Sequence, residues 1–350
     1  MLKVLQLASA FIGVIVGAGF ASGQEILQYF TSFGLLGTVG AVVSTALFAY
    51  LGMVLMQVGS RMKTVSHRDA IYEISGKRIG TVIDYIIIFT LFGVGVVMIA
   101  GAGSNLSQQF GFPYFVGTTV LTLLILLSGL VNVGRFVAII GSITPFLALI
   151  FIMLAIYSIF TQDSTYASLN TTALAQPTTL PNWFVSSVNY VSFNLAVGAS
   201  MALVMGGAER NEKIAKWGGF AGGLGIGILI MLSHLAIFSK IESVEGYDMP
   251  MLQLANELSP VLGFIMSIVL FGMIFSTGAS MFFSFSARFF EVGTSKFKSF
   301  LLITLVVGYA LSYIGFTDLV GKFYPLIGYL GLFLIGALIV AFVRIKRGTI

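Results

Sequence analysis

Cysteine is absent from this 350-residue chain, which removes disulfide frameworks, thiolate metal sites and cysteine nucleophiles together. Histidine occurs only twice, as His67 and His234, so a multi-histidine metal centre has no ligands to draw on. No Gly-x-Ser-x-Gly elbow and no phosphate-binding P-loop occurs either, which argues against an enzyme. Charge is scarce: 9% of residues carry it, against roughly 25% in an ordinary soluble domain. With 57% hydrophobic residues, the chain has too little polar surface to cover a water-facing globule, so its solvent is lipid. The net charge of +5 does not point to nucleic acid, because the basic residues sit in short clusters between apolar runs.

What is present is a series of long apolar runs. A bilayer core needs about 20 apolar residues in a helix. Ten segments meet or approach that length, at roughly 4–30, 35–59, 81–107, 114–130, 135–160, 183–206, 215–239, 259–290, 299–315 and 319–343. The Leu-Ala-Ser-Ala stretch at 7–10 is read as part of a retained first span rather than as a signal-peptide site, because the hydrophobic run continues past it. With the N-terminus placed inside, 16 of the 18 Lys and Arg residues fall on the inner side and only Lys240 and Lys322 outside. The positive-inside rule therefore favours ten spans with both termini cytoplasmic in the cell (inner) membrane. Residues 161–182 form the longest outer loop, with Pro177, Pro181 and Asp163, followed by Trp183 as an interfacial anchor. Residues 241–258 place Met249, Met251, Leu252, Leu254 and Ala255 between acidic residues, the pattern of an amphipathic helix lying on the outer mouth. Inner residues 61–79 can hold another. No soluble domain is visible, so the chain reads as a single transmembrane domain over 1–350.

Ten spans divide into two sets of five, about 4–160 and 183–343, and because five is odd the second set runs inverted relative to the first. Interrupted helices at matching positions of two such halves point to a transporter's binding site. In the first span, Gly13, Gly17, Gly19 and Gly23 surround its centre, where each glycine costs roughly 1 kcal/mol relative to alanine. In the sixth, Asn189, Ser192, Asn194, Gly198 and Ser200 cluster at mid-depth, so an interruption is expected there too. Gly93, Gly95, Gly101 and Gly103 in the third span, and Gly218 to Gly227 in the seventh, read instead as close-packing positions. A break exposes N–H groups that attract an anionic group and carbonyls that coordinate a cation.

The run Ile15-Val16-Gly17-Ala18-Gly19-Phe20 resembles the Gly-x-Gly break in the first helix of the amino acid–polyamine–organocation superfamily, whose members have the LeuT-type fold. The longer run from Gly17 to Glu25 resembles the uncharacterised bacterial membrane proteins of the YkvI type. The resemblance implies an all-α polytopic membrane protein, a 5+5 inverted repeat with the first and sixth helices interrupted. By the same resemblance, Gly17, Ala18, Gly19, Phe20, Ala21 and Ser22 face Asn194, Ala196, Gly198 and Ser200 across a substrate site, with Phe20 stacking over the substrate. A sodium ion, the one expected cofactor, is implied at the carbonyls of Gly13, Val16 and Met273 and the hydroxyls of Ser276 and Thr277. The competing reading of those hydroxyls is a bond back to their own helix. Proton-coupled relatives can carry a lysine on the fifth helix, whereas this span offers Ser142, Thr144 and Pro145.

Two ionisable residues fall within spans. Glu25 lies about 12 Å beyond the break by helical rise, where it can line the outer vestibule, complement a substrate amine, carry a proton, or reach interfacial water. His234 can titrate near neutral pH or serve as a neutral hydrogen-bonded packing residue. At the inner ends, Lys3, Glu209, Arg210, Glu212, Arg288 and Glu291 suit either an ion-paired gate or simple topology. The function expected is sodium-coupled uptake of a small solute, an amino acid or related amine, by alternating access. The alternatives are a proton-coupled transporter or exchanger, and a non-transporting ligand sensor of the germinant-receptor type. The partners expected are the substrate and the lipid bilayer, with no nucleic acid; oligomeric state is not legible.

Overall fold

The computed structural model describes residues 1–64, 67–130 and 144–346. The expected loop with Arg135, the start of the fifth span with Ser142, and Arg347 lie outside the described residues. Among the described residues, helices occupy all ten expected spans, the fifth from Thr144 onward. The first is built from three pieces, Leu2–Ile15, Ala18–Ser22 and Gln24–Tyr29. The second to fifth are Leu35–Met62, His67–Phe110, Tyr114–Leu130 and Thr144–Phe160. The sixth to tenth are Trp183–Ala208, Glu212–Ser239, Pro260–Ala287, Ser295–Ser312 and Phe316–Lys346. Among the described residues, seven helices are long and apolar enough to cross a membrane, and Leu2–Ile15, Tyr114–Gly129 and Phe146–Phe160 are shorter apolar helices. The inner helix expected within 61–79 is present: the stretch His67–Phe110 is two helices that meet at a kink at Gly76, where φ is 75° and ψ 168°, and the third span begins there.

Side-chain bonds fix the directions of the helices. Lys3 pairs with Glu209 at 4.0 Å, while the Ser186 hydroxyl donates to the Tyr29 carbonyl at 2.5 Å, so the first and sixth helices run antiparallel. Asn189 donates to the Pro325 carbonyl at 2.9 Å and Ser192 to the Gly328 carbonyl at 2.6 Å, so the sixth and tenth run parallel. The start of the first helix and the end of the tenth therefore share one face of the bundle, called the terminal face below.

Small residues let the second, sixth and seventh helices approach to backbone contact, which in a bilayer replaces hydrophobic burial as the source of packing energy. A Cβ built on Gly219 would stand 2.2 Å from the Gly52 carbonyl oxygen, and one on Gly206 2.3 Å from that of Met56. In the third helix, Gly93, Gly95, Gly101 and Gly103 accept the rings of Phe323, Phe282, Phe316 and Tyr114. These glycines serve packing, as their spacing suggested.

The expected interruption of the sixth helix is not there: Trp183–Ala208 is one helix of 26 residues. Its mid-depth polar groups are satisfied without a break. Asn189 and Ser192 bind the tenth helix, and the Asn194 amide donates back to the Tyr190 carbonyl at 3.0 Å. Polar side chains in a bilayer need partners, and here protein supplies them.

On the face opposite the termini, residues 161–182 and 241–258 cover the bundle. The second of these contains Ile241–Val244 and Pro250–Leu258, and Met251, Leu252, Leu254 and Ala255 are buried beneath it, as the amphipathic pattern suggested. Lys240 ties the two segments together, with its Nζ 3.1 Å from Asp163 and 2.7 Å from Glu257. Burial alone would lower the Lys240 ammonium's pKa, but the two carboxylates more than offset this and raise it. Pro325 cannot donate to the carbonyl four residues before it in the tenth helix. That carbonyl, of Gly321, accepts instead from the Thr179 hydroxyl of the covering loop at 2.5 Å.

Candidate functional site

The first helix stops at Val16, where the backbone turns to φ −77°, ψ 79°. The Gly17 N–H donates to the Ile15 carbonyl at 2.8 Å instead of to Gly13 four residues back, so the Gly13 carbonyl is left without its helical donor. Gly17 is extended, and its own carbonyl accepts from the Ala21 N–H at 3.0 Å as the helix resumes. A second interruption follows at Gly23, which is left-handed with φ 85°. A Cβ there would also meet Met251 of the covering helix at 2.7 Å, so glycine is required both by conformation and by space.

This broken stretch forms one wall of a cavity of about 430 Å³. Gly13, Val16, Gly17, Ala18, Gly19 and Glu25 line it from the first helix, and Phe193 and Asn194 from the sixth. Met273, Ser276 and Thr277 line it from the eighth, and Tyr324 from the tenth. The cavity opens toward the terminal face: Ser9, Ala10 and Gly13 are exposed, and Met201 is 55% exposed. The other end is closed, for every residue from Ala18 to Ser32 is buried.

Several residues expected at a substrate site lie off the lining. Phe20 is fully buried and stacks on Phe151 of the fifth helix, ring centroids 5.7 Å apart. Ala21 is buried, and the Ser22 hydroxyl turns inward to the Gly19 carbonyl at 2.7 Å, where it also accepts from the Gln24 N–H. Ala196 is buried away from the cavity, and Ser200 does not line it. Gly198 is a packing position, since a Cβ there would lie 2.5 Å from Ile15.

All five residues expected to hold sodium line the same cavity. Thr45, Thr90 and Thr122 show the ordinary fate of a hydroxyl in a helix, each donating to the carbonyl four residues back. Ser276 and Thr277 form no such bond, and among the described residues neither hydroxyl has a hydrogen-bond partner. Hydroxyl and carbonyl oxygens turned to one cavity are the donor set that a hard cation prefers.

Glu25 is 5% exposed and accepts a hydrogen bond from the Tyr190 hydroxyl at 3.0 Å. Its other carboxylate oxygen lies against Gly19, 2.1 Å from where a Cβ would be. Tyr29, Tyr190, Phe30 and Phe48 pack as an aromatic cluster behind it. Phe193 stacks on Tyr324 with centroids 4.1 Å apart. Sequence reading missed Tyr190, Phe193 and Tyr324. For the first two a signal existed, since Tyr190, Phe193 and Asn194 fall within one turn on one face of the sixth helix.

His234 is fully buried between the Thr31 and Thr38 hydroxyls at 3.0 and 2.9 Å, a hydrogen-bonded packing residue away from the cavity. At the terminal face, Glu212 pairs with Arg61 at 2.9 Å and Arg288 with Asp84. These pairs tie neighbouring helices together, the seventh to the second and the eighth to the third.

No family model matches the chain. It is similar to the uncharacterized membrane protein YkvI of Bacillus subtilis (strain 168), 29% identical over 340 residues covering 95% of this chain and 94% of that one. The uncharacterized protein YyaD of the same organism is 25% identical over 328 residues, covering 94% of each. Among solved structures, MhsT in complex with L-phenylalanine superposes with TM-score 0.67 at 15% identity, covering 99% of this chain and 89% of that one. The inward-facing conformation of Mhp1 gives 0.59 at 14%, covering 94% and 73%. A manganese transporter of Eremococcus coleocola gives 0.54 at 14%, covering 97% and 77%. The fold is therefore the LeuT type, shared with these solved structures.

Proposed function

We propose that this chain is a secondary active transporter of the cell membrane that takes up a small amine-bearing solute, an amino acid or related amine, by alternating access with sodium as the coupling ion. The observation that carries the reading is the convergence on one cavity of the first-helix break, a lone carboxylate and two unbonded hydroxyls of the eighth helix. Backbone groups at the break and Asn194 supply polar contacts to the solute. The freed carbonyls of the first helix and the hydroxyls of Ser276 and Thr277 supply the ion site. Ion and solute then share one compartment, the arrangement in which occupancy by one favours the other.

The clustering of basic residues supports placing the terminal face in the cytoplasm. On that orientation the cavity is open inward and sealed outward by the first helix beyond Ala18 and the covering helix Pro250–Leu258. The test is thermal unfolding of the purified protein with amines and amino acids, in sodium and in choline. A ligand present at about 100 times its Kd raises stability by about 2.7 kcal/mol. The expected result is a sodium-dependent rise in midpoint that Ser276→Ala/Thr277→Ala abolishes, followed by sodium-driven uptake in liposomes. Ligand stabilisation equal in the two salts and unaffected by the double substitution would sink sodium coupling.

A further inference from the structure

Glu25 is the one buried carboxylate among the described residues, for Glu242 and Glu245, which accept from Ser164, Ser168 and Gln176, are exposed. Asp84, Asp163, Glu209, Glu212, Glu257 and Asp318 each face a lysine or arginine. Asp248 is met by the Ser104 and Thr317 hydroxyls, both at 2.6 Å. Glu25 has one donor, Tyr190, and no ion pair among the described residues. Its other oxygen lies over Gly19 at the cavity wall. A buried carboxylate without a partner is costly, so its charge is cancelled by a proton or by a cation drawn from the cavity.

The rest of the cavity narrows what that cation is. No lysine, arginine or histidine is among the residues lining it, so a solute carboxylate would find no cationic side chain there. Apart from Asn194 and the serine and threonine hydroxyls, the lining offers apolar surface, with the stacked Phe193–Tyr324 pair on one side and Val94, Met98 and Met273 on the other. We infer that Glu25 binds a proton and the ammonium group of the solute in turn, so that the transported solute is a primary amine with an apolar body and no carboxylate. The inference rests on the transporter reading above and deepens it. The step balances as R–NH3⁺ plus the Glu25 carboxylic acid giving an ammonium–carboxylate pair plus one proton, released into the open cavity. The titratable groups close enough to feel the Glu25 charge are Tyr29 on its own helix, Tyr190 on the sixth and Tyr324 on the tenth. The third and eighth helices present only Val94, Met98, Met273, Met281 and the hydroxyls of Ser276, Thr277 and Ser280. One exchangeable proton is therefore at stake.

The experiment uses the full chain in lipid nanodiscs and two matched pairs of probes: phenethylamine with L-phenylalanine, and tyramine with L-tyrosine. Binding is read by thermal shift and calorimetry, and proton release by a pH dye in weak buffer. The expected result is that an amine binds and its amino acid does not. Affinity rises about tenfold per pH unit while Glu25 is protonated, with one proton released per amine bound. Glu25→Gln keeps an acceptor for Tyr190 but abolishes both proton release and the pH dependence. Gly19→Ala, whose Cβ displaces the carboxylate without removing it, weakens amine binding at least tenfold. Three outcomes overturn the proposal: an amino acid bound as well as its amine, amine binding indifferent to pH and to Glu25→Gln, or no binding by either amine. If in any of these the sodium response through Ser276 and Thr277 persists, the transporter reading survives and only the amine assignment falls.

Discussion

The first and sixth helices occupy corresponding places in the two sets of five spans, yet one is broken and the other is continuous. Both carry glycine and small polar residues at mid-depth. The difference lies in where the backbone and side chains find partners. At Val16 and Gly17 the hydrogen-bond ladder is interrupted, and the space beside Gly17 is open, with nothing within 4 Å of where its Cβ would be. In the sixth helix Gly206 is pressed against the backbone of Met56, and Asn189 and Ser192 reach across to the tenth helix. Between these two helices, the open space lies beside Gly17 at the break and the filled space beside Gly206 in the unbroken run, where neighbours also answer the polar side chains.

That contrast can be tested in order of expected effect. Gly206→Val forces a branched side chain into the second helix's backbone and is expected to cost about 3 kcal/mol. The check is the yield of monodisperse protein and its unfolding midpoint; wild-type stability would show that the two helices are not in contact. Asn189→Ala removes the bond to Pro325 and the acceptor of the Tyr29 hydroxyl, 3.3 Å away. It is expected to lower stability by about 1–2 kcal/mol, while the sodium response of the remaining folded protein stays unchanged. Loss of that response without loss of stability would mean that the sixth helix's polar residues belong to the binding site after all. Gly17→Ala meets no steric obstacle and gains up to about 1 kcal/mol of helix preference. Its stability is expected to stay within about 1 kcal/mol of wild type, while the sodium-induced thermal shift shrinks as the Gly13 carbonyl regains its donor. An undiminished sodium shift would separate the break from the ion site.

How much was legible varied with how local each signal was. The helical spans followed from apolar run length, and the covering helix Pro250–Leu258 from apolar residues set between acidic ones in an amphipathic pattern. The break at Gly17 was legible because four glycines in one span are a backbone property, written in the chain itself. The grouping of Gly13, Val16, Met273, Ser276 and Thr277 on one cavity was anticipated through family resemblance, not through spacing, since 257 positions separate Val16 from Met273. Phe20 was misplaced because a helix's local pattern does not say which neighbour a ring will meet, and Phe151 met it. Tyr324 was missed because its stacking on Phe193 depends on the parallel docking of the tenth helix.

The sequence by itself determined that this protein lives in lipid and where its first helix gives way. Those follow from hydropathy, helical rise and the conformational cost of glycine, all of which act over one or two turns. The tertiary structure alone decided that the sixth helix stays whole, that Glu25 faces a cavity without a cationic partner, and that the cavity opens toward the termini. Each of these depends on which groups from distant helices come within hydrogen-bonding distance, and in a medium that offers no water, those partners decide whether a polar residue is structural or free to bind.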